Sequence, residues 1–174
     1  MKKILGEGKY LRLVKEDRWE YVERNNCTGI VSVVPITKDG KIILTEQYRM
    51  ALKKWVIELP AGLANDTEKK ETLEEAALRE LEEETGYTAE KLILLFEGPP
   101  SAGMSSEIIH YYLAEGLKKV SEGGGDDTEQ IRVHAVPRNE IDTWLKQKQK
   151  EGCLVDPKMF VGLYCLQNLS HPLP

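Results

Sequence analysis

The chain has 174 residues, of which 41% are hydrophobic and 30% charged, and its formal net charge is −5. This length suits one domain with at most a small appendage, and the composition is sufficient for an ordinary hydrophobic core. A modest negative charge without a block of Lys or Arg argues against a nucleic-acid or anionic-membrane partner. The N-terminus lacks an apolar signal-type segment and no run approaches 18 apolar residues, so we expect a cytoplasmic protein without a membrane association.

The first 30 residues contain short segments in which apolar and polar side chains alternate. This alternation predicts strands at residues 10–14 and 19–24, and a more continuous apolar run predicts a buried strand at 30–36. An antiparallel unit of this size is too small to be stable alone. We therefore expect residues 1–30 to form a small sheet that packs against the main domain, residues 31–174, or against a partner chain.

Further strands and helices are predicted along the rest of the chain. The dipeptide Asp39-Gly40 is typical of a β-hairpin turn and precedes a predicted strand at 42–47. The same patterns place strands at 55–59, 92–96 and 108–113, a loop at 60–62, and helices at 73–85, 137–148 and 157–168.

The helix at 73–85 is the most informative element. Thr72 followed by Glu75 predicts a capping box at its start, and Gly86 predicts its end. Leu73, Ala76, Ala77 and Leu81 are the residues expected to face the protein body.

Three acidic residues, Glu80, Glu83 and Glu84, are predicted to lie on or beside that buried face. Like charges at this spacing repel one another, and partly desolvated carboxylates require cations. Oxygen ligands of this kind suit a hard ion such as Mg²⁺ or Mn²⁺. The alternative is a solvated, Glu-rich amphipathic helix without a ligand.

The order of residues around this helix resembles the signature of a known family. Glu71, seven further residues and then Arg79-Glu80-Leu81-Glu82-Glu83-Glu84-Thr85-Gly86-Tyr87 resemble the Nudix hydrolase box, G-x5-E-x7-R-E-U-x-E-E-x-G-U with U apolar. The box glycine falls on Asn65, whereas Gly62 looks like the glycine of the family's Pro-Ala-Gly, with about three extra residues before Glu71. The resemblance implies the Nudix α/β/α sandwich, a mixed sheet between helices, with a small N-terminal antiparallel sheet.

Two flanking segments resemble the ADP-sugar branch of this family. Glu46-Gln47-Tyr48-Arg49 is similar to a tetrapeptide whose arginine contacts the substrate phosphates, the role that this likeness implies for Arg49. The alternative for Arg49 is a salt bridge at the end of a strand. Ser101-Ala102-Gly103 departs from the Ser-Pro-Gly typical of ADP-ribose hydrolases, which leaves the sugar nucleotide open.

The N-terminal sheet of that branch is exchanged or packed across a homodimer, so the resemblance implies a homodimer here. Tyr10 and Trp19 match the positions of aromatic residues that stack on the nucleobase, although each could instead be a packing residue. Glu20 and Arg24 carry over more weakly as substrate-binding residues. Leu63, directly after Pro-Ala-Gly, belongs to the same implied substrate-binding set.

A glycine-rich loop, residues 123–125, precedes the last candidate. By resemblance, Glu129 aligns with a loop glutamate that activates water or joins the metal ligands, with Asp127 and Asp126 as substitutes. Glycines can act as a hinge that closes an acid over bound substrate. A flexible linker without a catalytic role is the alternative.

The resemblance as a whole implies a metal-dependent pyrophosphatase. Its substrate would be a nucleoside diphosphate sugar, with ADP-ribose as the lead candidate, cleaved to a nucleoside monophosphate and a sugar phosphate. Two or three Mg²⁺ or Mn²⁺ ions would be held by the Ala61 carbonyl and by the catalytic carboxylates Glu80, Glu83, Glu84 and Glu129.

Two residues of the box have supporting roles in this hypothesis. Arg79 is expected to pair with nearby carboxylates, and Glu71 is expected to be a carboxylate outside the direct ligands. The alternatives are hydrolysis of GDP-mannose or of a dinucleoside polyphosphate, and a catalytically silent module that binds a sugar nucleotide.

Overall fold

The computed structural model describes residues 1–65, 70–125 and 129–168. In these ranges the three α-helices are α1 (Leu73–Thr85), α2 (Ile141–Lys150) and α3 (Lys158–Gln167), with a 3-10 turn at Arg138–Glu140. The strands are β1 (Lys2–Glu7), β2 (Leu11–Glu16), β3 (Trp19–Arg24), β4 (Gly29–Pro35), β5 (Lys41–Arg49), β6 (Lys54–Glu58), β7 (Ala61–Ala64), β8 (Tyr87–Thr88), β9 (Lys91–Gly98), β10 (Ile109–Glu115), β11 (Lys118–Lys119), β12 (Ile131–Pro137) and β13 (Leu154–Val155). No helix in the described ranges is long and apolar enough to span a membrane.

Strands β1, β2 and β3 form a separate antiparallel sheet at the N-terminus. It contacts the rest of the chain through β3, where the Val22 amide donates to the Met104 carbonyl at 2.8 Å. The side chains of Ile4, Leu5, Leu11 and Leu13 are between 41% and 47% exposed. The sheet therefore leaves apolar surface uncovered by this chain.

Two four-stranded sheets form the centre of the main domain, in the orders β7-β4-β10-β9 and β12-β5-β6-β13. Each is mixed, since β4 pairs with β10 and β6 with β13 in parallel, while the remaining pairs are antiparallel.

The turn at Gly40, where φ is 76°, connects strands of different sheets. The strands of the predicted hairpin meet next to the turn, where an isolated antiparallel bridge joins Ile36 and Ile42 and the Thr37 amide donates to the Lys41 carbonyl at 2.9 Å. The hairpin prediction was wrong about pairing farther from the turn, because β4 and β5 find other partners there.

The helices cover both faces of these sheets. Val31 and Val33 of β4 are buried together with Ala76, Ala77 and Leu81 of α1 in one apolar cluster. Val34 points the other way, into a second cluster that contains side chains of α2 and α3, among them Ile141, Leu145, Met159 and Leu166. This alternation places the sheets between α1 on one side and α2 and α3 on the other, which confirms the predicted α/β architecture.

Residues 61–64, part of which were predicted as a loop, form strand β7. Ser32 and Val31 of β4 pair with Ala61 and Gly62, so this segment joins the sheet edge directly beside α1. Strand β12 was also not predicted; it pairs with β5 and extends to Pro137, which delays the start of α2 until Ile141.

Candidate active site

Helix α1 has the predicted boundaries and both predicted caps. The Glu75 amide donates to Thr72 Oγ1 at 3.1 Å, and the Thr72 amide donates to Glu75 Oε2 at 2.7 Å, which completes the capping box. Gly86 adopts a left-handed conformation with φ of 75°, and its amide donates to the Glu82 carbonyl. These local interactions fix the rotation of α1 and hence the direction of each acidic side chain.

Glu80 and Glu84 point from α1 toward the start of β7. The Ala61 amide donates to Glu84 Oε2 at 3.1 Å, and Glu84 is 4% exposed. The carboxylate of Glu80 lies against Gly62, where a Cβ atom would come within 2.0 Å of Glu80 Cδ. The Glu83 side chain is 55% exposed, so it lies at the open side of the cluster.

Arg79 connects the acidic residues to one another. Its guanidinium donates to Glu71 Oε1 at 2.8 Å, to Glu80 Oε1 at 2.8 Å and to Glu83 Oε2 at 3.0 Å. It also donates to the Leu63 carbonyl at 2.9 Å. The hydrogen bonds to Glu71 are the largest cause that raises the pKa of Arg79. The expected pairing of Arg79 with carboxylates is confirmed.

Asn65, which occupies the position of the box glycine, has a φ of 59°. This left-handed conformation favours glycine, and asparagine is among the side chains that tolerate it. The Glu71 amide donates to Asn65 Oδ1 at 2.8 Å, and Asn65 Nδ2 donates to the Glu71 carbonyl at 2.9 Å. Asn65 therefore preserves the backbone conformation and links both ends of the 66–69 segment, which lies outside the described residues.

The electrostatics of Glu84 indicate excess negative charge. Burial, followed by the charge of Glu80, raises its pKa well above the ordinary value, and Glu129 raises it further. The Ala61 amide and the charge of Arg49 oppose this shift. A buried carboxylate in this situation must take up a proton or face a cation.

The chemistry of these donors suits a hard divalent cation, because carboxylate and carbonyl oxygens are its usual ligands. In the described part of the chain, however, no three His, Cys, Asp or Glu side chains are already grouped as a metal site. The hydrogen bonds of Arg79 to Glu80 and Glu83 and the turn of Glu84 toward the Ala61 amide account for this arrangement.

A pocket of about 700 Å³ opens in front of the cluster. Its size is within the range of small-molecule sites. The structure brings seven predicted site residues together along its walls: Arg24, Arg49, Ala61, Leu63, Glu80, Glu83 and Glu129.

Three predicted substrate-binding residues lie away from this pocket. Tyr10 and Trp19 are 64% and 60% exposed, and Glu20 pairs with Lys15 at 3.4 Å. Trp19 lines a separate groove of about 390 Å³ between the N-terminal sheet and Ala102, Gly103, Ser105 and Ser106. Trp19 and Arg24 stand at opposite ends of β3, about 17 Å apart along the strand. Their assignment as binding residues stays a prediction.

Contacts within the pocket also identify residues that the sequence did not single out. Gln47 is 5% exposed, and its Nε2 donates to Glu129 Oε1 at 2.9 Å. Arg49 Nε donates to Glu58 Oε2 at 2.7 Å, so the strand-end salt bridge is formed while Arg49 still lines the pocket. The period of two along β5, which directs residues 45, 47 and 49 to one face, is the signal that could have indicated Gln47.

Glu107 and Lys158 are two further lining residues that were not predicted. Arg24 Nε donates to Glu107 Oε1 at 2.5 Å. No sequence pattern marks either residue, because each reaches the pocket only through tertiary packing. Asp126 and Asp127, the substitutes for Glu129, lie outside the described residues.

Comparison with known proteins agrees with this geometry. The NUDIX domain model matches residues 28–154. A methanol dehydrogenase activator from Bacillus methanolicus is 39% identical over 140 residues, which cover 80% of this chain and 72% of that protein. An ADP-ribose pyrophosphatase from Bacillus subtilis (strain 168) is 47% identical over 94 residues, which cover 54% of this chain and 49% of that protein. The second match therefore spans about half of each protein.

A solved crystal structure, that of an ADP compounds hydrolase, has a TM-score of 0.71 and 20% sequence identity, and the match covers 96% of this chain and 90% of that one. At this identity the likeness shows a shared fold. Nudix hydrolases generally require a divalent metal ion. Because the domain match at residues 28–154 covers well over half of the chain and includes all of α1, the chain belongs to the Nudix hydrolase family.

Proposed function

We propose that the protein hydrolyses the pyrophosphate bond of a nucleoside diphosphate sugar, with ADP-ribose as the lead candidate. The products would be AMP and ribose 5-phosphate. The observation that supports this proposal best is the pocket itself, which brings the carboxylates of α1 and Glu129 together with Arg49. The similarity to an ADP-ribose pyrophosphatase supports the same substrate class.

Glu80, Glu83, Glu84, Glu129 and the Ala61 carbonyl are the groups that would hold two or three Mg²⁺ or Mn²⁺ ions. Such ions, when bound, neutralise phosphate charge and lower the pKa of an attacking water. Glu80 and Glu83 each accept a hydrogen bond from Arg79, at 2.8 and 3.0 Å, and a carboxylate can accept such a bond on one oxygen while its other oxygen ligates a cation.

The side chains around the pocket would divide the remaining tasks. Glu129 would accept the proton of the attacking water, and Gln47 would hold its carboxylate in place by the 2.9 Å hydrogen bond. Arg49 would donate to phosphate oxygens and stabilise the charge of the leaving phosphate. Water adds to one phosphorus as the bridging P–O bond breaks, and the second phosphate departs with the bridging oxygen.

The proposed partner is a second copy of the chain. Residues 1–30 would form a base-binding and dimerisation region, and residues 31–174 the hydrolase domain. The exposed apolar side chains of β1 and β2 support a dimer, and so does the position of Trp19 and Tyr10 outside the pocket of their own chain. In this arrangement Trp19, Tyr10 and Glu20 of one chain would contact the nucleoside bound in the other.

The first test is a panel of substrates: ADP-ribose, ADP-glucose, GDP-mannose, UDP-glucose and a dinucleoside polyphosphate, each incubated with the protein and Mg²⁺. We expect release of AMP and ribose 5-phosphate from ADP-ribose and loss of turnover with EDTA. Turnover of GDP-mannose or the polyphosphate alone would replace the proposed substrate. A protein that binds ADP-ribose without cleaving it would instead be a silent binding module.

A substitution at Glu84 tests the role of the buried carboxylate. Glu84→Gln retains the shape of the side chain but removes its charge, so we expect kcat to fall by about 10³-fold or more. Glu82→Gln is the matched control, because Glu82 belongs to the same helix and is exposed. Equal activity of the two variants would argue against metal ligation by Glu84.

A further inference from the structure

Acidic and basic side chains are equal in number among the described residues that line the pocket. In the described part of the chain, four lining carboxylates, Glu80, Glu83, Glu107 and Glu129, face four cations, Arg24, Arg49, Arg79 and Lys158. Binding of a negatively charged diphosphate therefore depends on which of these cations can direct their remaining hydrogen-bond donors toward it.

Two of the four cations are engaged by carboxylates of the pocket itself. Arg24 donates to Glu107 at 2.5 Å, and Arg79 donates to Glu80 at 2.8 Å. Their partners line the same walls, so these pairs add no net positive charge to the space in front of them.

The other two cations, Arg49 and Lys158, pair with carboxylates outside the pocket lining. Arg49 pairs with Glu58 at 2.7 Å and Lys158 pairs with Asp156, but neither carboxylate is among the described residues that line the pocket. The side chains of Glu58 and Asp156 are 7% and 13% exposed, whereas those of Arg49 and Lys158 are 41% and 26% exposed. An ammonium group has three donors, so one carboxylate leaves Lys158 able to bind a second anion.

Arg49 and Lys158 belong to one electrostatic network. Burial raises the pKa of Glu58, and the charges of both Arg49 and Lys158 oppose that shift. Asp156 also fixes the backbone at Lys158, since the Lys158 amide donates to Asp156 Oδ1 at 2.8 Å at the start of α3. Lys158 is thereby held at the pocket wall from a part of the chain far from the Nudix box.

We propose that Lys158 binds an oxygen of the substrate's diphosphate together with Arg49. Lys158 is then a substrate-binding residue that the α3 helix contributes to the pocket. The inference rests on the proposed function, because it assigns a further contact to the same diphosphate substrate. The competing explanation is that Lys158 only stabilises the start of α3 by pairing with Asp156.

Steady-state kinetics with ADP-ribose and Mg²⁺ distinguish these explanations. In Lys158→Met we expect KM to rise about 10- to 30-fold while kcat changes less than about twofold, the pattern of a lost binding contact. Lys158→Arg keeps the charge and should retain KM within about threefold. Lys146→Met, the same change at an exposed position of α2, is the control and should behave as wild type.

Asp156→Asn separates binding from a structural role. Asparagine keeps an oxygen for the Lys158 amide but removes the charge that holds the ammonium group, so KM should stay equal or fall. Raising the salt concentration should increase KM more steeply in the wild type than in Lys158→Met, because a charge contact is screened. The inference is overturned if Lys158→Met leaves KM unchanged, or if Asp156→Asn raises KM to the same extent.

Calorimetric titration with inorganic pyrophosphate and Mg²⁺ tests the Lys158 contact by measuring binding, without relying on turnover. We expect Kd to be about 10-fold weaker in Lys158→Met than in the wild type or Lys146→Met. A wild type that cleaves no nucleoside diphosphate sugar but shows this difference would overturn the proposed function and leave the Lys158 contact standing. If the wild type cleaves ADP-ribose but the wild type and Lys158→Met bind pyrophosphate with equal Kd, the Lys158 contact alone would be overturned.

Discussion

At the scale of one residue, the site depends on the lack of a Cβ atom at Gly62. The sequence indicates this glycine by its place in Pro-Ala-Gly but gives no reason for it, because its neighbour Glu80 is 18 positions away along the chain. The structure supplies the reason, since the space for a Cβ atom at Gly62 is occupied by the Glu80 carboxylate. Contacts of this kind arise from packing between elements and leave no local pattern.

Replacing Gly62 by alanine should therefore misplace Glu80. The new Cβ would lie 2.0 Å from Glu80 Cδ and 2.3 Å from Oε2, so the carboxylate must move by an ångström or more. We expect kcat to fall by about 10²-fold with the fold retained, measured as ADP-ribose turnover beside circular dichroism. Gly103→Ala is the control, because a Cβ there meets no atom within 4 Å. Similar kinetics in both variants would contradict the proposed role of Glu80.

At the scale of single elements, local interactions were predictable and long-range pairing was not. The bounds of α1 follow from Thr72, Glu75 and Gly86, all within a few residues of the helix. The pairing of β7 with β4 and of β12 with β5 depends on residues more than 25 positions apart. The sequence therefore revealed the box helix and missed two strands that hold the pocket together.

Strand β5 connects the pocket to the opposite side of its sheet. On the pocket side Gln47 holds Glu129, and on the other side Glu46 is 2% exposed and accepts hydrogen bonds at 2.7–2.9 Å. The donors are Lys148 of α2 and Arg132 and His134 of β12. This cluster fastens β12 and α2 to β5.

Neutralising Glu46 should destabilise the protein in a pH-dependent way. Burial opposes ionisation of Glu46, but hydrogen bonds from Lys148 and His134 outweigh burial and lower its pKa below 4.5. The stability it contributes is complete above that ordinary value and is lost as pH falls through the lower pKa of the folded state. At pH 7 we expect Glu46→Gln to reduce the free energy of unfolding by about 3 kcal/mol, measured by urea denaturation.

The same titration repeated at lower pH tests the cause. The difference between wild type and Glu46→Gln should narrow as pH falls below about 4.5, as its lowered pKa requires. Glu7→Gln, at an exposed position of β1, should stay within about 0.5 kcal/mol of wild type throughout. A constant difference at every pH would show that ionisation of Glu46 is not the cause of the lost stability.

The whole molecule consists of a three-layer domain with a small sheet attached at one side. That sheet meets the domain through β3, and although Val14 of β2 is buried, Ile4 and Leu5 of β1 and Leu11 and Leu13 of β2 remain 41–47% exposed in the single chain. Exposed apolar surface of this kind marks an interaction site. The proposed homodimer would cover it and bring Trp19 of one chain toward the pocket of the other.

Charged substitutions on that surface test the assembly. We expect the wild type to sediment as a dimer and the double variant Leu11→Glu, Leu13→Glu to sediment as a monomer, because two charges would be buried without partners. KM for ADP-ribose should rise in the monomer as the aromatic residues leave the site. Leu154→Glu is the control, since Leu154 is 43% exposed but lies on β13. A monomeric wild type at micromolar concentration would contradict the proposed dimer.

The hydrogen bonds between Asn65 and Glu71 have a consequence for how much the length of the segment between them can vary. The Asn65 side chain accepts a hydrogen bond from the Glu71 amide and donates one to the Glu71 carbonyl, so Asn65 and Glu71 are held beside each other. The entropy cost of closing a loop grows only slowly with its length. We therefore expect insertions between these two residues to disturb helix α1 little, so that recognition elements could be added there while the acidic residues keep their positions.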